Sequence, residues 1–224
     1  MASKPFKKLV LMGAGGTSAD VLSIIADINR AAPTYECIGL LDDDPALWGK
    51  HRFSVSVLGG LEQAGSMHDV SFGNCLGSPN NYWKRRGLLA RLGIGRDRFE
   101  TLIHPRAAVA ADCRIGRGSV LYPNVVVMAN VRIGDHVTIL GNTVMNHDVD
   151  IDDLCIITSG VNISGRVRIG QSAYIGTGAT LKHGISIGDL ALVGMGSVVL
   201  HDVLPRAVVA GNPARQLRTV DLAS

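Results

Sequence analysis

The sequence predicts an α/β domain with a short parallel sheet, half-Rossmann-like, followed by a parallel β-helix. The first unit is expected over residues 1–102, the second over 103–204, and a C-terminal extension over 205–224. Three observations carry this expectation. A strand, glycine loop and helix open the chain at Lys7, and an aliphatic residue recurs at every sixth position from Ile103 to Val199. Glycine or aspartate returns every eighteenth residue, at Gly116, Gly134, Asp152, Gly170 and Gly188.

Composition agrees. Of 224 residues 46% are hydrophobic but only 4% aromatic, and 27 are glycine, so the core must be aliphatic and repetitive. A formal net charge of +3, without basic runs interleaved with aromatics, points away from nucleic acid. No stretch approaches the roughly 20 apolar residues of a membrane span. The N-terminal apolar run breaks into the glycine loop too early for a signal peptide. A soluble, cytoplasmic protein is expected. The cysteines Cys37, Cys75, Cys113 and Cys155 form no CxxC pair and read as small buried hydrophobes in a reducing compartment.

Residues 7–12 read as a buried strand and Gly13-Ala14-Gly15-Gly16-Thr17 as a loop. Residues 18–29 read as a helix with Ser18 as N-cap and an apolar face of Val21, Leu22, Ile24, Ile25 and Ile28. Backbone N–H groups at such a helix start cradle a phosphate, with Gly13, Gly15 and Gly16 as candidates, or the loop is only a tight turn. A second strand over 36–41 ends in Asp42-Asp43-Asp44-Pro45. Asp42 and Asp43 are placed to accept from a sugar hydroxyl or base N–H, or to cap a solvated turn. A helix near 61–64, a strand over 71–76 and a helix over 79–92 complete the unit. About 100 residues suffice for one mononucleotide-binding half, not two.

From Ile103 in steps of six, all 17 positions are Ile, Leu, Val or Met, with no insertion. The phase starting at Pro105 contains one such residue, Met195. Small or branched residues follow four places later, as at Val125, Val131, Val137, Val149, Val161, Ala173, Ala179, Ile185 and Val203. This period fits short strands joined by tight turns, three to a coil, with both residue sets pointing inward. Each buried aliphatic contributes on the order of 1.5–3 kcal/mol.

His147, His183 and His201 share the third place of their hexads and are separated by multiples of 18, so they stand in one column with Gly165 between the first two. His147, followed by Asp148, fits a general base whose ring a carboxylate orients. Gly165 offers a bare N–H to an oxygen gaining negative charge. The plainer alternative is a polar turn residue. His183 and His201 read as surface residues or contacts to a long ligand along the coil, and His104 as structural; His136 is given no role. His183 and His201 could both approach one ion, but two ligands are too few for an ordinary zinc site, so no metal is expected.

Five segments together resemble the hexapeptide-repeat sugar O- and N-acyltransferases, the sialic acid O-acetyltransferase and UDP-N-acetylbacillosamine N-acetyltransferase type. They are Gly13-Ala14-Gly15-Gly16, Leu41-Asp42-Asp43-Asp44-Pro45, Ile103-His104-Pro105, Asn146-His147-Asp148 and Val209-Ala210-Gly211-Asn212-Pro213-Ala214-Arg215. The resemblance covers nearly the whole chain and implies a left-handed coil, against the usual hand of parallel crossovers. It also implies a homotrimer with acetyl-CoA, the acyl donor, between subunits and a nucleotide sugar on the N-terminal domain. By the same resemblance His147 with Asp148 is the base, and the Gly165 N–H serves the acetyl carbonyl. Gly176, Gly194, Gly196, Asn212 and Pro213 would flank coenzyme A; Gly13, Gly15 and Gly16 would hold phosphates, and Asp42 and Asp43 the nucleotide base. The implied reaction is direct N-acetylation of a nucleotide-linked amino sugar in polysaccharide biosynthesis. Its rivals are O-acetylation of a sialic acid or other sugar hydroxyl, and a non-catalytic nucleotide-sugar-binding trimer. Many members carry His or Phe and then a basic residue after the double glycine, and Asn seven places before the base. Here those places hold Thr17-Ser18-Ala19 and Leu140.

Overall fold

A computed structural model describes residues 6–222. Strands β1 (Lys7–Met12) and β2 (Tyr35–Leu41) are separated by helix α1 (Gly16–Ala31); β3 (His51–Arg52), β4 (Val55–Gly59), β5 (Ser71–Asn74) and helix α2 (Arg85–Leu92) follow. The sheet order is β3-β4-β2-β1-β5, parallel except for β3, which runs antiparallel to β4 at the edge. The four strands β4-β2-β1-β5 form the expected short parallel sheet, and the antiparallel β3 is an addition at its edge. A two-residue strand is too short to show the alternation that marks a strand in sequence.

Both faces of β1 are buried. Leu9 and Leu11 pack with Val21, Ile24 and Ile25 of α1, and Val10 and Met12 with Phe72, Leu88 and Leu92. Three local expectations are corrected. Helix α1 starts at Gly16 with Gly15 as N-cap, and Ser18 lies inside the first turn, fully buried, its hydroxyl donating to the Gly13 carbonyl at 2.6 Å. The helix expected over 79–92 is a 3-10 turn (Tyr82–Lys84) running into α2. The strand over 71–76 stops at Asn74, whose side-chain oxygen accepts from the Leu76 N–H.

The repeat forms seventeen two-residue strands, from β6 (Leu102–Ile103) to β22 (Val198–Val199). Every pairing joins residues eighteen apart, as in Val126↔Val144↔Asn162, so three strands make one turn of a three-sided parallel coil. The six-residue aliphatics are buried from Leu121 onward, as are Val125, Val131, Val137, Val149, Val161, Ala173, Ala179, Ile185 and Val203. Ile103 departs from the expectation: it is 36% exposed, on the terminal strand of its sheet, which pairs with a neighbour on one side only.

Every sixth residue from Gly118 to Gly196 has a left-handed φ between 55° and 75°, including Asn130, Asp148, Leu154, Arg166 and Leu190. Turn position alone therefore does not demand glycine. The eighteen-residue glycine column has another cause: a Cβ on Gly116 would come 2.4 Å from the Gly134 carbonyl one coil on. Asp152 interrupts that column, and burial raises its carboxyl above the usual carboxylate range.

The hairpin β23 (Ala207–Gly211) and β24 (Ala214–Thr219) extends one face of the coil, with a cis Asn212–Pro213 bond at its tip. The N-terminal unit rests on that same face. Tyr82 and Trp83 pack on Ile156, Tyr174 and Leu192, and Arg96 pairs with Asp135. The buried Arg85 donates to the carbonyls of Leu154 and His136, both at 2.8 Å. His104, buried, donates from Nε2 to Asp27 of α1 at 2.8 Å while its Nδ1 accepts the Arg106 N–H. Among the described residues no helix is long and apolar enough to cross a membrane.

Candidate active site

His147 stands at an edge of the coil, on the turn after the strand Val144–Met145, with more than half of its side chain exposed. The left-handed φ of Asp148, +59°, turns its carboxylate back onto the ring, and His147 Nδ1 lies 2.8 Å from Asp148 Oδ2. A carboxylate only accepts, so Nδ1 carries a proton, and in the neutral ring Nε2 holds the lone pair. Asp148 Oδ1 accepts from the Asn130 amide at 2.6 Å, and the Arg166 guanidinium lies 3.9 Å from Oδ2. These contacts, His147 foremost and Asn130 next, hold the Asp148 carboxyl below its ordinary range.

Gly165, one coil on, is buried beneath the ring. A Cβ there would fall 2.9 Å from both Cε1 and Nε2 of His147, so only glycine admits the imidazole in this position. The Gly165 carbonyl accepts from the Gly184 N–H, while its own N–H donates to no described group of the chain. His183, a further coil along, has its ring centroid 6.3 Å from that of His147. The expected column thus forms, with an imidazole, a free N–H and a second imidazole in succession. His201 is exposed on the next coil.

At the other candidate site, Gly13, Gly15 and Gly16 lie between the end of β1 and the start of α1. Gly13 needs its φ of +105°, but a Cβ on Gly15 or Gly16 would meet nothing within 4 Å, so packing does not explain the double glycine. Asp42 accepts from the Ala14 and Asp44 N–H groups at 2.8 and 2.9 Å, one on each oxygen, and so shapes this loop with acceptor capacity left on both. Exposed Asp43 gives one oxygen to the Leu61 N–H at 2.9 Å. Gly176, Gly194 and Gly196 occupy a different edge of the coil from His147, and one chain does not bring the two sets together. A Cβ on Gly176 would strike the Met195 N at 2.6 Å, and one on Gly194 the Ala210 Cβ at 2.8 Å, so stacking alone accounts for both. Asn212 and Pro213 are exposed at the hairpin tip. Among the described residues no cluster of three or more His, Cys, Asp or Glu is arranged to hold a metal ion.

The architecture is similar to that of solved enzymes. The acetyltransferase domain of PglB from Neisseria gonorrhoeae, solved with acetyl coenzyme A, is 31% identical, with 95% of this chain and 100% of that one covered at a TM-score of 0.81. The chain belongs to the hexapeptide-repeat sugar acyltransferases. Their coil is the left-handed parallel β-helix, and this chain shares it. A second acyltransferase, PerB from Caulobacter crescentus in complex with CoA and GDP-perosamine, is 26% identical, with 97% and 100% covered and a TM-score of 0.81. UDP-N-acetylbacillosamine N-acetyltransferase of Bacillus subtilis is 31% identical over 117 residues, and the chain spans about half the length of this curated relative. No family model matches the chain.

In this member of the family, sequence reasoning missed the contacts of Asn130 and His136. Asn130 was findable, since it stands eighteen residues before Asp148. His136 accepts from the Asn74 amide at 3.2 Å and meets the Phe99 ring edge-on; burial pushes it down to about 4. Those partners come from the other structural unit, which spacing within the repeat does not reveal.

Proposed function

We propose that the chain is an acetyl-CoA-dependent acetyltransferase that N-acetylates a nucleotide-linked amino sugar by direct transfer. The observation that carries this is the His147–Asp148–Gly165 arrangement: a fixed Nε2 lone pair beside an uncommitted backbone N–H. Support for the substrate classes comes from the similar proteins, one solved with acetyl coenzyme A and one with CoA and GDP-perosamine.

His147 Nε2 takes the proton of the acceptor amine as nitrogen attacks the thioester carbonyl, and Asp148 steadies the imidazolium that forms. The Gly165 N–H donates to the carbonyl oxygen as negative charge builds there. Coenzyme A leaves as thiol or thiolate, with no acyl-enzyme. In this reading residues 1–102 hold the nucleotide, with Gly13, Gly15 and Gly16 at the phosphates and Asp42 and Asp43 near the base. Residues 103–204 supply the chemistry. Gly176, Gly194, Gly196, Asn212 and Pro213 flank the donor, and a homotrimer brings that edge of one chain to the His147 edge of the next. A cytoplasmic location fits such a donor.

The test is thiol release from acetyl-CoA across a panel of nucleotide-linked amino sugars and hydroxyl sugars. Amino sugars are expected to turn over, and His147→Ala is expected to lower kcat by about 10²- to 10⁴-fold with the melting temperature unchanged. Near-normal turnover by His147→Ala would overturn the mechanism. Turnover of hydroxyl sugars alone would replace N- with O-acetylation.

A further inference from the structure

We propose that His183 is the general acid of the transfer, protonating the departing thiolate while His147 accepts the proton of the nucleophile. The inference rests on the reading of the site given above. Two coils separate these residues, about 9.6 Å at the usual strand spacing, yet their ring centroids are 6.3 Å apart at an interplanar angle of 55°. The His147 ring lies over Gly165, the residue between the two histidines in the column. Neither nitrogen of His183 is engaged by another described group of the chain.

The order along the column matches the order of events. A nucleophile within reach of His147 Nε2 places the thioester sulfur on the order of 5–6 Å from that nitrogen. The proposed donor residues Gly176, Gly194, Gly196 and Asn212, which the proposed trimer brings to this edge from the neighbouring chain, all follow Gly165 along the chain, and all but Gly176 follow His183. The leaving group therefore departs on the His183 side. The acceptor proton passes to His147 Nε2 as the new bond to the carbonyl carbon forms. The C–S bond breaks with its electron pair on sulfur, and sulfur takes a proton from the His183 imidazolium. His147 is then protonated and His183 neutral, and one proton crossing between the two rings restores both. The ionisable groups around His183 on this edge are Lys182 beside it, His147, Asp148 and Arg166 on earlier coils, and His201 and Asp202 on the next.

His183→Gly tests this, since the same column already accommodates glycine at Gly165. With acetyl-CoA and a competent acceptor, kcat is expected to fall about 10²-fold, with KM for acetyl-CoA within about twofold and an unchanged melting temperature. Added imidazole should restore turnover in proportion to its protonated fraction, more at pH 6 than at pH 8 relative to the unaltered protein. Unchanged kcat, a loss confined to KM, or rescue that follows neutral imidazole would overturn the role of His183. If His147→Ala is inactive while His183→Gly turns over normally, only this inference falls. If the unaltered protein releases no thiol with any acceptor, the reading of the site falls and takes this inference with it.

Discussion

Gly165→Ala is the sharpest probe of the site, because it adds one methyl group and removes no chemistry. The added carbon would lie 2.9 Å from Cε1 and Nε2 of His147 and 3.2 Å from the His147 carbonyl. Ordinary carbon contacts begin near 3.5 Å, so the ring must retreat by roughly 0.5–1 Å. The backbone contact is close to tolerable, and the ring is largely exposed and free to swing, so the coil itself should survive. The ring's position is nevertheless what matters: the retreat strains its 2.8 Å bond to Asp148 and moves Nε2 off its line. A displacement of about 1 Å costs on the order of 10²-fold in rate, equivalent to about 2.7 kcal/mol of barrier. The variant should therefore melt within a few degrees of the unaltered protein by circular dichroism, while thiol release from acetyl-CoA drops about 10²-fold. Combined with His147→Ala it should add little, since both changes disable one unit. A Gly165→Ala protein that turns over normally would refute the claim that the imidazole works from above this glycine.

Two further outcomes follow from neighbouring contacts. Asn130→Ala removes the amide bonded to Asp148 Oδ1; turnover should fall severalfold, and the Asp148 carboxyl, followed by carbon NMR, should titrate at higher pH than in the unaltered protein. His136 is driven from its ordinary 6.5 to about 4, chiefly by burial. Between these values the unfolded chain binds the proton that the folded chain refuses, so stability is lost as pH falls from 6.5 towards 4. The loss reaches up to about 3 kcal/mol. Urea unfolding at pH 7 and pH 4.5 should show this slope in the unaltered protein and a flatter one in His136→Asn; equal slopes would remove His136 as its source.

The coil was legible because its signal is redundant. Seventeen aliphatics in unbroken phase leave no alternative register, and the column of His147, Gly165 and His183 follows from that count. What spacing could not supply was orientation. The Asp148 carboxylate reaches the ring because its backbone is left-handed, a conformation that Leu154 and Arg166 adopt equally at the same place in their hexads. Residue type therefore does not announce it. The N-terminal unit was read less accurately. Ser18 resembles a cap, but Gly15 takes that position, and the Ser18 hydroxyl instead braces the Gly13 carbonyl. Arg85 lies within the helix expected over 79–92, and nothing in that pattern marks it as buried. It is buried because two coil carbonyls accept its guanidinium, and burial pushes its pKa down to about 10.

One circuit of the prism consumes eighteen residues, which sets rules for how such a chain can change length. An insertion of eighteen adds a storey and leaves every downstream side chain above its former neighbour. An insertion of six carries everything after it one third of the way around, moving His183 to another side from His147. Reach between the imidazole and the grip on a ligand's far end is thus metered in whole storeys of about 4.8 Å, and a lineage can lengthen its ruler only by complete circuits.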